Sequence, residues 1–300
     1  MSHKPVLVEE VLGALHLRPD SVAVDGTLGS GGHSAKILEA LGPAGRLIAL
    51  DQDPASLERC REMAKDPRVS LHHENYRNLE KVLKRLNLSF VDAVLLDVGF
   101  SSDQIEDPAR GFSFDRPGPL DMRMNPEHEV SAQELVNRLP EADLEKIFRE
   151  FGEESRARQF AAAICFERKR SLIETTDQLA GIIEKVLFPY GLKQGRRPHW
   201  ARRHPATRVF QALRIAVNDE LGALQEGLLN IWKHLRKGGR FAVISFHSLE
   251  DRIIKNQFRN WARLGEGKLI NKKIISPSRK EMIDNPRSRS AKLRSVEKIS

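Results

Sequence analysis

The chain has 300 residues, 40% hydrophobic and 30% charged, an ordinary globular composition that excludes a collagen-like repeat and calls for no disorder. The net charge is +8, there are two cysteines, and the longest apolar run is the seven residues from Phe160 to Phe166. That run is far short of the roughly 18–20 residues of a membrane span, and the N-terminus has no signal-peptide core. Two cysteines make neither a disulfide framework nor a C-x-x-C zinc site. The sequence therefore predicts a cytoplasmic protein with reduced cysteines, no metal and no membrane partner.

In chain order, Val22–Asp25 reads as a short strand ending in glycines, and His33–Leu41 as a helix with Ile37, Leu38 and Leu41 on one stripe. Arg46–Asp51 is a second strand, Pro54–Lys65 a helix with proline in its first turn, and Val69–His72 a third strand. Leu79–Leu86 is helical and Val91–Asp97 is a fourth strand. This alternation predicts an α/β fold, a Rossmann-like parallel sheet with helices on both faces. From about Ile105 to His204 no strand pattern is convincing. A turn-rich stretch, Asp107 to Pro126, precedes helical runs at Ala132–Leu139, Glu141–Phe151, Ser155–Glu167 and Thr176–Leu187. The expectation is an inserted all-helical domain over residues 106–204, within a sheet domain made of residues 1–105 and 205–300. The alternation resumes with one helix from Val209 to Leu235, the strand Arg240–Phe246, and a helix opened by Ser248 with capping-box spacing. Short β-like pieces near Leu269–Ile275 and Ser290–Val296 close the sheet edge.

The charge is unevenly spread. Lys193–Arg214 holds seven basic residues and no acid, and Gly265–Ser300 holds ten basic residues against four acids. The two patches sum to +13, so the other 242 residues carry −5. A mildly acidic body with two basic patches is the electrostatic footprint of a polyanion partner, with a solvated charged surface as the alternative.

The segment Asp25-Gly-Thr-Leu-Gly29-Ser-Gly31-Gly32-His33-Ser34 joins a strand to a helix. Its glycines permit sharp turns and close approach of a ligand to the backbone. The following helix points free N–H groups at that ligand. Asp51 lies twenty residues beyond Gly31, at the end of the second strand, where an acid can accept both ribose hydroxyls of an adenosine. A dinucleotide fingerprint from Gly29 needs Gly or Ala at position 34, where this chain has Ser34. Asp25 directly before the loop suits a ligand with a cationic amino-acid end, which points to S-adenosylmethionine. A purely structural turn, and a nicotinamide oxidoreductase, remain the competing readings.

Six longer motifs carry a more specific signal: DGTLGSGGHS from Asp25, ARGFSF from Ala109, PLDMRM from Pro119, HPATRVFQALRIAVNDEL from His204, VISFHSLEDR from Val243 and NPRSRSAKLR from Asn285. In these the chain resembles the bacterial small-subunit (16S) ribosomal RNA cytosine-N4 methyltransferases, from His3 to about Lys298. The resemblance implies a class I methyltransferase fold with a helical domain inserted after the fourth strand. It also implies S-adenosylmethionine as cofactor and methylation of the exocyclic N4 of a decoding-site cytosine, with small-subunit ribosomal RNA or the 30S subunit as partner. Carried over by position, the cofactor residues are Gly31, Gly32, His33, Asp51, Tyr76, Asp97 and Gln104. Tyr76 stands where the family usually has Phe, Phe100 replaces a small aliphatic residue, and Asp103 replaces a proline, which weakens the assignment of Gln104.

The amine of cytosine is a poor nucleophile because its lone pair is delocalised into the ring, and an acceptor on its N–H can restore that pair. Asp97 is the candidate acceptor, with a cofactor-only role as the alternative. His247, after the fifth strand, can hold the base or take the proton, or simply bond the backbone ahead of a helix cap. Phe112, Phe114 and Trp200 are candidate stacking faces for bases, with core packing as the alternative. Arg110 and Arg123 near the hinge, Arg202, Arg203 and Arg208 in the first patch, and Arg287, Arg289 and Arg294 in the tail are the expected RNA contacts. His199 and His204 lie in the basic loop without acids or cysteines nearby, so no metal site is expected. The insertion is expected to wall the RNA cleft; shielding of the cofactor or homodimer formation are its alternatives.

Overall fold

The computed structural model describes residues 5–188 and 204–300. The chain divides into two compact units, one reaching to Ser101 and resuming at Leu221, the other Ser102–Glu220.

The first unit is built on a seven-stranded sheet. Its strands are β1 (Val22–Asp25), β2 (Arg46–Asp51), β3 (Val69–His73), β4 (Val91–Asp97), β5 (Leu235–Ser245), β6 (Gly267–Leu269) and β7 (Lys292–Lys298), in the order β3-β2-β1-β4-β5-β7-β6. The first five run parallel, and β7 is antiparallel to both β5 and β6. This is the class I methyltransferase arrangement. The strands of the parallel part are continuous apolar runs because both faces are covered. Val94 and Leu96 of β4, with Val24, Ile48, Phe241 and Val243, join the core that also holds Leu83, Leu224, Leu228, Ile254 and Phe258. The alternate residues Ala93 and Leu95, with Ala23, Leu47, Ala242 and Ile244, meet Val11, Leu15 and Ile37. Those partners come from helices α1 (Val8–Leu15), α2 (Gly32–Ala40), α4 (Leu79–Arg85), α11 (Glu220–His234) and α12 (Ser248–Arg263).

The chain winds outward from β1 in both directions, so the crevice beyond the carboxyl ends of β1 and β4 is the place where open α/β sheets bind ligands. Three strands end there in aspartate: β1 in Asp25, β2 in Asp51 and β4 in Asp97.

The second unit is helical: α5 (Ser102–Glu106), α6 (Ala132–Arg138), α7 (Glu141–Glu150), α8 (Ala157–Glu167), α9 (Thr176–Leu187) and α10 (Thr207–Asn218). It has its own core, including Leu120, Phe148, Phe160, Ile164, Ile183, Val209, Phe210 and Leu213. The last three explain why the unit extends past the expected boundary at His204: the apolar stripe of α10 is buried against the other helices. The single helix expected from Val209 to Leu235 is two, because Asp219 takes a left-handed conformation at φ 47°. Leu235 begins β5 instead. The helix expected over Pro54–Lys65 is α3 (Pro54–Arg59) followed by a 3-10 turn, Arg61–Lys65. No helix among the described residues is long and apolar enough to cross a membrane.

Candidate functional site

The loop after β1 is held from below. Gly31 sits at φ +78°, and a Cβ there would lie 2.8 Å from Cys60 Sγ and 3.1 Å from Met63 Sδ. A Cβ on Gly32 would meet the Pro5 ring at 3.0 Å. The two glycines expected to contact the cofactor thus have no room for side chains on their protein side.

Asp51 accepts the Gly29 N–H at 2.7 Å on Oδ2 and the Asp53 N–H at 2.8 Å on Oδ1. Its carboxylate therefore ties the glycine loop to the start of α3. Burial, reinforced by the charge of Asp53, pushes its carboxyl up to about 6 against the pull of those hydrogen bonds. Asp51→Ala should weaken cofactor binding by about 1–3 kcal/mol, because the ribose hydroxyls go unpaired and two backbone donors are orphaned. Calorimetry should also show wild-type affinity falling as pH drops through about 6, where Asp51 protonates. Unchanged affinity in the variant would take Asp51 out of the site.

Asp25 is fully buried, and both its oxygens are engaged: Ser34 Oγ donates to Oδ2 at 2.7 Å and the Thr27 N–H to Oδ1 at 3.1 Å. Burial pushes its carboxyl up, while Ser34 and the nearby His33 pull it down. Asp25 thus staples the loop to α2, rather than standing open to a cationic ligand as expected. Ser34, which argued against a dinucleotide, is the donor of that staple.

Asp97 differs. Its backbone N–H donates to Thr27 Oγ1 at 2.6 Å, and its Oδ2 lies 3.5 Å from His33 Nδ1. Its Oδ1 is buried and has no hydrogen-bond partner among the described residues. Burial pushes the carboxyl up to about 6; His33 opposes the rise, and the charges of Asp25 and Glu250 add to it. A buried polar atom without a partner is uncommon in folded proteins and calls for an explanation. An N–H donor on a bound ligand supplies one.

Tyr76 opens a 3-10 turn after β3. A Cβ on Gly227 of α11 would lie 2.6 Å from its Cδ2, and one on Gly26 3.0 Å from its Cβ. Its ring therefore rests on the backbone of α11 beside the first glycine of the loop. Gln104 is buried on α5 and belongs to the helical unit.

His247 is the N-cap of α12, one residue before the expected cap at Ser248. Its Nδ1 accepts the Glu250 N–H at 3.4 Å, and Nε2 lies 3.0 Å from Glu250 Oε1, without hydrogen-bond geometry. Glu250 Oε2 in turn accepts the N–H groups of Phe246 and His247. Nδ1 is occupied in a capping box, which supports the cap reading, while the buried Nε2 has no hydrogen-bond partner among the described residues.

The expected RNA contacts divide. Arg110 donates to the carbonyls of Arg123 and Met124, and Arg123 forks Asp121 while donating to the His128 carbonyl. Phe112 is buried in the helical core, and Phe114 meets Phe210 edge-on with centroids 4.8 Å apart. These four are occupied within their own unit. Arg294 pairs with Asp251 through Nε at 2.7 Å, so it holds β7 to α12. Arg208 is exposed and donates to the Glu153 carbonyl, and Arg287 and Arg289 are exposed on a 3-10 turn. Arg202, Arg203, His199 and Trp200 lie outside the described residues.

Sequence reasoning missed Thr27, Glu250 and the Val6 carbonyl, which sits 2.8 Å from His33 Nε2. Asp53 was missed too, although Asp-Pro at a helix start is a readable N-cap signal: its side chain accepts from the Ala55 N–H. Glu250 is likewise local, the third helical residue of the His247 capping box, whereas Thr27 at Asp97 and Val6 at His33 depend on neighbours distant in sequence.

The sequence matches the MraW methylase family over residues 1–299. It is 45% identical to a protein of Heliobacterium modesticaldum named ribosomal RNA small subunit methyltransferase H, covering 99% of this chain and 98% of that one. Proteins of the same name from Geotalea daltonii (46% identical, 99% and 98% covered) and Thermomicrobium roseum (44%, 100% and 94%) are equally similar end to end. With its glycine loop, its three strand-end aspartates and a match along its whole length, the chain belongs to the MraW methylase family of S-adenosylmethionine-dependent methyltransferases.

Proposed function

We infer that this enzyme methylates small-subunit ribosomal RNA, at the exocyclic N4 of a decoding-site cytosine. Full-length relatives at 44–46% identity that carry the small-subunit methyltransferase name support the substrate. The Oδ1 of Asp97, buried without a hydrogen-bond partner among the described residues, supports an amine as the methyl acceptor.

The residues present fit the cofactor. Gly29, Gly31 and Gly32 bring no side chains to the loop, Asp51 at the end of β2 offers a carboxylate to a ribose, and Tyr76 offers an aromatic ring beside the loop. Bound S-adenosylmethionine supplies a methyl group on a sulfonium. The protein must then align the acceptor amine with that methyl group, and this positioning supplies much of the rate. Asp97 accepts an amine N–H, returns the lone pair to nitrogen and takes the proton that the methylated amine releases.

The test is transfer of labelled methyl groups from S-adenosylmethionine to purified 30S subunits and to free small-subunit RNA, followed by nucleoside mass spectrometry. N4-methylated cytidine is the expected product. Label on another base or atom would sink the assignment.

The basic tail contributes RNA affinity. Replacing Arg287 and Arg289 by Ala should flatten the salt dependence of RNA binding, by about 0.7–0.9 in slope for each phosphate no longer neutralised. Arg294→Ala should leave that slope alone and destabilise the fold by about 1–3 kcal/mol. Burial pushes Asp251 up, but Arg294, with Lys292 and Lys255, outweighs it and holds Asp251 below its ordinary range. A slope insensitive to Arg287 and Arg289 would make the tail purely structural.

A further inference from the structure

We propose that His33 is the positioning residue of Asp97: its Nδ1, 3.5 Å from Oδ2, is the cationic partner of an ion pair that holds Asp97 as an acceptor for an incoming amino group. The proposal deepens the reading of Asp97 given above and rests on it.

The argument begins with the ring. His33 Nε2 lies 2.8 Å from the Val6 carbonyl oxygen, which can only accept, so Nε2 carries a hydrogen. A neutral ring would then turn the bare lone pair of Nδ1 toward a carboxylate oxygen. Two acceptors would face each other where His33 is only 7% exposed. Protonation of one partner removes the conflict, as imidazolium beside carboxylate or as imidazole beside carboxylic acid.

The surroundings favour the ion pair. Among the described residues, the charged groups acting on Asp97 are His33 on α2, Asp25 on β1 and Glu250 on α12. Asp25 and Glu250 are acids, and their oxygens are already taken by Ser34, Thr27, Phe246 and His247. His33 is the member of this set that can bring positive charge. Its ring is restrained because the Val6 carbonyl holds one nitrogen. The main chain at Asp97 is held by its N–H bond to Thr27 Oγ1. The outcome is a carboxylate with Oδ2 committed to His33 and Oδ1 left for a ligand donor.

The proton balance is simple. When the acceptor amine gains a methyl group, one of its N–H bonds breaks and an O–H bond forms at Asp97 Oδ1. Asp97 becomes a neutral acid beside His33, which keeps its own proton throughout. The acid releases its proton to water once product leaves. The amino group presented to Oδ1 belongs either to the target base or to the amino-acid end of S-adenosylmethionine, and one comparison separates these sources.

The test begins with the ligand-free protein. The carboxyl carbon of Asp97 is followed by carbon-13 NMR against pH, and assigned by its loss in Asp97→Asn. In His33→Gln the amide can still donate to the Val6 carbonyl, but no cation remains. The Asp97 titration should move upward by about 1–3 pH units, the effect of removing an opposite charge at this distance. An unchanged midpoint overturns the proposal. If the variant does not fold, the wild-type protein decides: coupled groups titrate together, so the nitrogen-15 signal of His33 Nδ1 must change at the pH where the Asp97 carbon does. Independent changes overturn the pairing. Neither reading depends on RNA methylation, so failure of the substrate assignment stays distinguishable. In the folded variant, the acid limb of methyl transfer should shift upward with the carboxyl. If S-adenosylmethionine affinity follows the same shift, Asp97 holds the cofactor's amino group; if affinity stays flat while turnover shifts, it holds the base's amine. A pH profile identical to wild type contradicts the proposal.

Discussion

Asp97→Asn lowers methyl transfer by about 10²–10⁴-fold, the usual contribution of a positioned proton acceptor, while making the ligand-free protein more stable at pH 8. The two effects share one cause. Burial holds the Asp97 carboxyl at about 6 in the folded chain rather than near 3.8. A raised aspartate favours the fold below its unfolded value and loses that contribution as pH rises through its folded value. At pH 8 the ionised, buried group therefore costs the fold up to about 3 kcal/mol. Asparagine has nearly the same shape and no charge, so the variant escapes that cost. Its stability advantage should be full above about pH 6 and gone below about pH 4. Chemical denaturation at pH 8 and pH 4 reads this directly. A variant equally destabilised at both would show that the Asp97 carboxylate is a structural anchor, not a strained acceptor.

The second large effect concerns the helical unit. Replacing residues 107–220 with a flexible glycine-serine linker, which keeps Gln104 on α5, should leave S-adenosylmethionine affinity within about threefold and abolish RNA methylation. The helical core draws its buried residues from Phe112 through Leu213, and the cores around the sheet draw theirs from outside that span. Cutting instead at the sequence-derived limits, 106 and 204, would strand Val209, Phe210 and Leu213 of α10 without partners and favour aggregation. A base inside paired or stacked RNA cannot line up with a methyl donor, so the target cytosine must be splayed out and held. The sheet unit is occupied with the cofactor, and the helical unit is proposed to supply that grip. Folded deletion protein that still methylates ribosomal RNA at a near-normal rate would refute this.

The parts of the fold legible in the sequence are those where one physical signal acts alone. Val22–Asp25, Arg46–Asp51 and Val91–Asp97 match their strands end to end, because a strand buried on both faces is an apolar run and each run stops at a carboxylate. Where signals compete, the reading slips. Lys237-Gly238-Gly239 looks like a turn, yet it lies within β5, which begins at Leu235 with Gly238 at φ +79° and an irregular register against β4. Helix α1 escapes a sequence reading because it has three buried residues and is entered through Leu7 at φ 55° with no side-chain cap. Residues 209–235 carry one helical period, and the left-handed Asp219 that breaks it leaves no mark on that period.

The site follows the same division. Gly31, Gly32, His33, Asp51 and Asp97 are visible from motif and spacing, and the sheet gathers them at its carboxyl edge. Their working relations are not. That Asp25 is spent on Ser34 and that His33 bridges Val6 to Asp97 depend on side-chain geometry among separate elements. The arginines show the point most clearly. Position near the hinge places Arg123, and the charge of the tail places Arg294, among the expected RNA contacts, whereas Asp121 and Asp251 engage them.

The most direct measurement is nucleoside mass mapping of small-subunit ribosomal RNA from cells lacking this protein, complemented with wild type or with Asp97→Asn. The account predicts one N4-methylated cytidine that disappears without the protein, returns with wild type and stays absent with the variant at equal protein level. A methylation pattern unaffected by loss of the protein, or fully restored by Asp97→Asn, would contradict it.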